Sequence, residues 1–478
     1  MARSSIASRS EEIKDQQKRR VIVGASGIRF PMRVRRVIPI LLAVISSGIC
    51  GGQQPQTDPM QVLVEVRRKI AESTSRMPRY LCTETVERRK SQLGSGAIWD
   101  KPCSETIAAI AGHSKRLQLL SADRLRLDVA VIDKNEIYSW VGEGKFGDQS
   151  LSQLVKIGLT ANGSFGSFLA AIFESPATAF SYQGESPANG RRVLKYEFRV
   201  GALDSSYHLG NARISQTVPY SGSFTVDPET LDLLKLEIHA DDIPAAMNYC
   251  EVSNAMDYTK LRMNNLDFML PSEATTQVIR VDGAMAENRT VFSGCHQFLG
   301  ESKLLFDDAP AAGVTAATAE RRPTEIPAGL TFDIALTQKI DPATLAAGDP
   351  IQGTLLKTIE IPGSAETIPN GTLLKGRICM LLMDYSDWGA LEFAVKWESL
   401  EWAGGASQPV RLLLEAAIPT TAKTSEVNVK RARRSGFGTQ FDETIGYLQF
   451  PAVKKNYQIP PGFQSRWVSL AAKSGTAK

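Results

Sequence analysis

The sequence predicts a mainly β protein of the α+β class: a curved antiparallel half-barrel with a few helices covering its concave face, followed by a second small β-barrel or sandwich. Three observations predict it. Most of the chain after residue 57 alternates apolar and polar residues with a period of two, the mark of strands with one dry face. Helical spacing is confined to two short stretches, and a proline-glycine turn recurs three times ahead of a strand in the last third. At about 100–200 residues per domain, 478 residues allow two or three. The seam falls at 307–324, inside the run DDAPAAGVTAATAERRPTEIP, whose Ala, Pro and Thr suit a linker between 58–306 and 325–472.

In chain order, residues 1–31 form a mixed-charge extension that export does not need, so Met32 reads as the start. Arg33, Arg35 and Arg36 precede thirteen apolar residues at 37–49 and the small cluster Cys50, Gly51, Gly52, which together read as a signal peptide over 32–52. A spanning helix needs about 20 apolar residues, so this segment suits cleavage better than anchoring. The expected location is the periplasm or the outer-membrane periphery of a bacterial envelope. Cys50 would be the point of lipidation, but Ile49 stands where a lipoprotein leader needs a small residue. Residues 1–57 carry ten Lys and Arg against three acids; without them 55 basic and 51 acidic residues fall to 45 and 48, a net charge of −3. Nothing in that balance favours nucleic acid.

The first domain opens with a helix: Asp58 can cap, Pro59 suits the first turn, and Val62, Val66 and Ile70 recur every four residues until Pro78. A second helical piece is expected over 165–173, with Phe168, Leu169, Ile172 and Phe173 packing. Strands follow at 124–131, 193–200 and 233–239, each with one apolar face. About ten such strands would twist enough to curl around the helices. Tyr196, Phe198, Leu236 and Ile238 are the apolar positions expected to line an inner cavity, the same side chains that would otherwise form a filled core.

Asp227 and Pro228 suit a turn between strands 223–226 and 233–239, and Asn264-Asn265 a second turn between 256–263 and 266–270. The segments TVDPETLDLLKLE, MDYTKLRM and DFMLPSE in these hairpins resemble the periplasmic lipoprotein-carrier superfamily of the LolA type over roughly 58–306. That resemblance implies a half-barrel with a helical lid holding a lipid or acyl chain in an apolar cavity. The long insertion at 90–121 departs from its pattern. In the second domain Ile326-Pro-Ala-Gly, Ile368-Pro-Asn-Gly and Ile459-Pro-Pro-Gly each read as a tight turn launching a strand, similar to small β-barrel modules of bacterial envelope and conjugal-transfer assemblies.

Five cysteines follow the leader. Pairing by neighbourhood joins Cys82 to Cys103 and Cys250 to Cys295, although four cysteines admit three pairings; Cys379 is left alone in an apolar run. Closing loops of 21 and 45 residues would stabilise the fold by about 3 and about 4 kcal/mol. No CxxC or Cys-His spacing suggests a metal, and no cofactor is expected.

Gly142, Gly144 and Gly147 match GxGxxG but follow a strand of an antiparallel sheet, which makes them a hairpin loop rather than a phosphate cradle. Among His113, His208, His239 and His296, only His239 with Asp241 shares a strand face with an acid, and Asp241-Asp242 suits a turn before Pro244. Four positive charges in 430–434 suit a solvated loop. No GxSxG, HExxH or cysteine-nucleophile signature occurs. The reading is therefore an exported envelope protein that binds a lipid, lipoprotein or acyl ligand. The alternatives are an assembly module whose C-terminal barrel docks on an envelope partner, and a hydrolase with a non-local triad.

Overall fold

The computed structural model describes residues 58–471 apart from 95–100, 113–116, 133–134, 145, 148, 189, 211–213, 264, 298–324, 387–388, 403–404, 421–426, 431–441 and 452–456. The expected signal peptide with Cys50, the extension 1–31, the linker, His113 and the basic residues 431–434 lie outside the described residues. No helix among the described residues is long and apolar enough to cross a membrane.

Helix α1 (Pro59–Arg76) starts as its sequence dictates: Asp58 Oδ1 accepts from Met60 N at 2.9 Å, and Pro59 occupies the first turn. Leu63, Val66, Ile70 and Thr74, spaced three or four apart, form its buried stripe. After it come β1 (Tyr80–Leu93), α2 (Cys103–Gly112), β2 (Leu117–Ile132), β3 (Asn135–Trp140), α3 (Leu151–Leu154) and α4 (Ser167–Leu169), which runs on into a π-helical turn over Ala170–Glu174. Apart from a 3-10 turn over Ala245–Met247, the remaining elements of this half are strands: β4 (Ala179–Ala188), β5 (Arg191–Val200), the short pair β6 (His208–Gly210) and β7 (Ser215–Thr217), β8 (Tyr220–Val226), β9 (Leu233–Ala240), β10 (Tyr249–Met263), β11 (Leu266–Arg280) and β12 (Ala284–Gln297).

Ten of these strands form one antiparallel sheet in the order β3, β2, β1, β12, β11, β10, β9, β8, β5, β4. No described strand joins β3 to β4, so the curled sheet stays open as a half-barrel. Register shifts at Leu81/Thr83, Lys90/Ser91, Asp257/Tyr258 and Tyr182/Gly184 add local bend and twist. Helix α1 and the 165–174 segment bury their apolar sides against the concave face in one core.

The second half contains β13 (Thr331–Leu336), β14 (Pro350–Leu355), β15 (Ile359–Glu360), β16 (Thr367–Ile368), β17 (Leu373–Asp384), β18 (Ala390–Glu401), β19 (Ser407–Pro409), β20 (Leu412–Ile418), β21 (Asn428–Lys430), β22 (Ile445–Pro451) and β23 (Gln464–Ser469). Its ladder runs β20, β23, β13, β14, β17, β18, β22, β21, and β20 packs beside β21 and β22 to bring the ends together as a small barrel. A separate core fills it, with Trp397 and Trp467 edge to face at 6.3 Å. The three turns appear where the repeat places them. Gly329, Gly371 and Gly462 have φ of 89°, 84° and 79°, and β13, β17 and β23 each begin two residues later.

The two cores are joined by backbone. Residues 121–123 of β2 pair with 382–384 of β17, and Arg126 N donates to Ala347 O while Ala347 N donates to Arg124 O, each at 2.8 Å. Arg126 also pairs with the buried Asp349.

The neighbourhood pairing of the cysteines is corrected. The disulfides are Cys82–Cys295 and Cys103–Cys250. The sheet lays its last long strand, β12, against β1, so Cys82 meets a residue 213 positions away. Helix α2, unforeseen in the 90–121 insertion, packs on β10 and carries Cys103 to Cys250. Cys379 stays a free thiol, and burial pushes its pKa up to about 12.

Candidate functional site

The concave face divides into an apolar wall and a polar wall. Tyr196 and Phe198 on β5 and Leu236 and Ile238 on β9 all point inward and are 0–3% exposed. Phe224 of β8 lies between them, stacked on Tyr196 at 5.2 Å and edge to face with Phe173 at 4.9 Å. The Tyr196 hydroxyl donates to Pro59 O at 2.8 Å, and burial pushes its pKa up to about 12. These four side chains thus belong to a packed core in which α1 and the π-helical turn lie directly on them.

Arg67 of α1 fastens that cover. Its guanidinium donates to Phe173 O at 2.9 Å and Ser175 O at 3.0 Å, and sits 5.2 Å from the Phe180 ring centroid.

The polar wall is made by β1, β2, β3 and β12, and residues 155–165 cross it as an irregular strap. Side chains of the strands hold the strap by its backbone. Arg88 donates to Ile157 O, Asn288 Nδ2 to Leu159 O at 2.9 Å, and Tyr258 Oη to Ser164 O at 3.3 Å. Glu136 accepts from Gly163 N at 2.7 Å and Phe165 N at 2.9 Å, and from Tyr138 Oη at 2.7 Å. Phe165 then plugs in edge to face between Tyr80 and Phe292, at 5.7 and 4.7 Å. This arrangement satisfies strap groups that would otherwise be buried unpaired.

Two further inward groups stand out. Arg88 and Asp123 form an ion pair with side chains 8% and 6% exposed. Glu84, 5% exposed, has no hydrogen-bond partner for Oε2 among the described residues. Burial first, then the Glu136 charge, pushes its pKa up to about 8. The Tyr138 and Tyr258 phenols are likewise raised by burial and by Glu136.

Sequence reasoning missed this wall because β1, whose inward residues are Tyr80, Cys82, Glu84, Val86 and Arg88, does not alternate apolar with polar. A cleft of about 650 Å³ opens at the seam, between Trp140 and the Arg88–Asp123 pair on one side and Arg377, Lys396 and Glu398 on the other. Arg377 donates across the seam to Val141 O at 3.0 Å and within its own half to Gly348 O at 2.7 Å.

Gly142, Gly144 and Gly147 lie in the loop from β3 to α3, a correction to the expected hairpin. Gly142 N donates to Asp128 Oδ2 at 2.8 Å. His208 bonds Thr217, and His296 approaches Gly294 O. His239 is registered opposite Ser221 on the outer face, but the Ser221 hydroxyl donates to Asp241, so no serine-histidine bond forms.

No protein-family model matches the chain, and no curated protein matches it. Solved structures similar to it include three bacterial proteins. One is a domain described as an outer membrane lipoprotein-sorting protein from Vibrio parahaemolyticus, at 10% identity and TM-score 0.26, covering 50% of this chain and 94% of that one. A DUF1329 family protein from Desulfovibrio piger has 11% identity and TM-score 0.25, covering 52% and 96%. A LolA superfamily protein from Nitrosomonas europaea has 11% identity and TM-score 0.23, covering 50% and 97%. The half-barrel itself rests on the strand register given above.

Proposed function

We propose that the chain is an exported cell-envelope protein whose half-barrel binds a lipid-like or acyl ligand on its concave face, in place of the 155–174 cover. One observation carries this reading. The apolar wall of Tyr196, Phe198, Phe224, Leu236 and Ile238 is covered by a contiguous segment and α1, and the bonds fastening them come from side chains such as Arg67 rather than from a strand ladder. Such a cover can lift without breaking the sheet, and an apolar chain can replace the buried area it surrenders. Two disulfides fit an oxidising compartment.

Titration with a fluorescent long-chain fatty acid tests it. Saturable one-to-one binding is expected, tightened about tenfold by Arg67→Ala because a looser cover costs the ligand less to displace. Absence of saturable binding in both proteins would defeat the proposal.

A further inference from the structure

Glu84, whose buried Oε2 has no hydrogen-bond partner among the described residues, stands on the inward face of β1 between Tyr80 and Arg88, which meet Phe165 and Ile157 of the strap. Its registered neighbour on β12 is Phe292, the ring that Phe165 of the strap packs against, and its registered neighbour on β2 is Leu127. The groups around it offer an ionised Glu84 no relief. On its own strand, Arg88 is engaged by Asp123 of β2 and by Ile157 O. From β3 come Glu136 and Tyr138, from β10 Tyr258, and from β12 the neutral Asn288 and Thr290. The charge that acts on Glu84 is that of Glu136, which has the same sign and grips the strap through the Gly163 and Phe165 amides.

We infer that Glu84 is a proton-operated release for the strap: protonated, it lets residues 155–165 stay seated on the polar wall, and loss of its proton drives them off. An unpaired buried carboxylate beside a second one is costly, and lifting the strap relieves the cost by admitting water to both.

The direction follows from linkage. With the strap down, Glu84 holds its proton up to about pH 8; with the strap lifted, it reverts toward its ordinary value of 4.5. Opening therefore binds fewer protons, and its equilibrium constant rises by up to about tenfold per pH unit between those values and levels off outside them. This inference concerns the empty protein and stands or falls apart from any ligand.

Hydrogen exchange of the 157–166 peptide, followed by mass spectrometry from pH 5 to 8 and corrected for intrinsic exchange, reads the opening constant directly. The expected result is a rise on the order of a hundredfold or more in the unaltered protein and a flat profile in Glu84→Gln, an uncharged isostere. Glu84→Met provides the same comparison should the Gln variant fold poorly. A flat profile in the unaltered protein, or an equal slope in the neutral variants, would overturn the inference.

Discussion

Arg88 and Asp123 face each other across β1 and β2 as a buried ion pair, and the same guanidinium reaches on to Ile157 O in the strap. Removing either partner leaves the other charge unpaired on the inner wall. Asp123→Asn and Arg88→Met should each cost about 3–5 kcal/mol in urea unfolding. The Arg88 change should also speed exchange in the strap. A loss below 1 kcal/mol in both would contradict the buried placement.

The disulfides make a second prediction. Peptide mapping of the oxidised protein should recover Cys82 with Cys295 and Cys103 with Cys250, because the sheet brings those pairs together. Reduction should destabilise the first half by about 3–5 kcal/mol, since both links close long stretches of chain. Recovery of Cys82 with Cys103 would contradict the β1–β12 register.

Gly446 of β22 lies where a Cβ would come within 2.1 Å of Trp467 Cη2 and 2.8 Å of Leu414 Cβ. Gly446→Ala should therefore overpack the second barrel and cost about 1–3 kcal/mol. The change should appear in tryptophan fluorescence, because Trp467 and Trp397 share that core. An unaltered unfolding midpoint would contradict the close approach of the Trp467 ring to Gly446.

Acid should weaken the same barrel through Asp333. Its carboxylate accepts from Arg466 Nε at 2.7 Å and lies 3.3 Å from Lys357 Nζ, and these partners, Arg466 foremost, hold its pKa below the ordinary 3.8. A lowered folded value means stability that is complete above the unfolded value and lost as pH falls through the folded one. The gap in stability between the unaltered protein and Asp333→Asn should be largest above about pH 5 and close as pH drops below 4. A pH-independent gap would contradict the assignment.

How much of this was legible in the sequence depended on which face a residue serves. Strands β5 and β9 alternate cleanly because one side meets only apolar cover, and Asp58 with Pro59 announced α1. The proline-glycine turns were legible because each requires a positive φ at its glycine. Strand β1 was not, because the strap demands a polar partner at Arg88, and the buried, unpartnered Glu84 stands where alternation would call for an apolar residue. Helix α2 was lost inside a segment read as an insertion. The disulfides could not be read because spatial neighbours in a meander whose first long strand meets its last are remote in sequence.

The most direct test of the central claim is hydrogen exchange across 155–174 at fixed pH, with and without a saturating long-chain fatty acid. If the concave face takes an acyl chain in place of its cover, exchange in 165–174 should accelerate on binding while β5, β8 and β9 stay protected. Binding that leaves 155–174 as slow as in the free protein would place the ligand elsewhere and contradict the account.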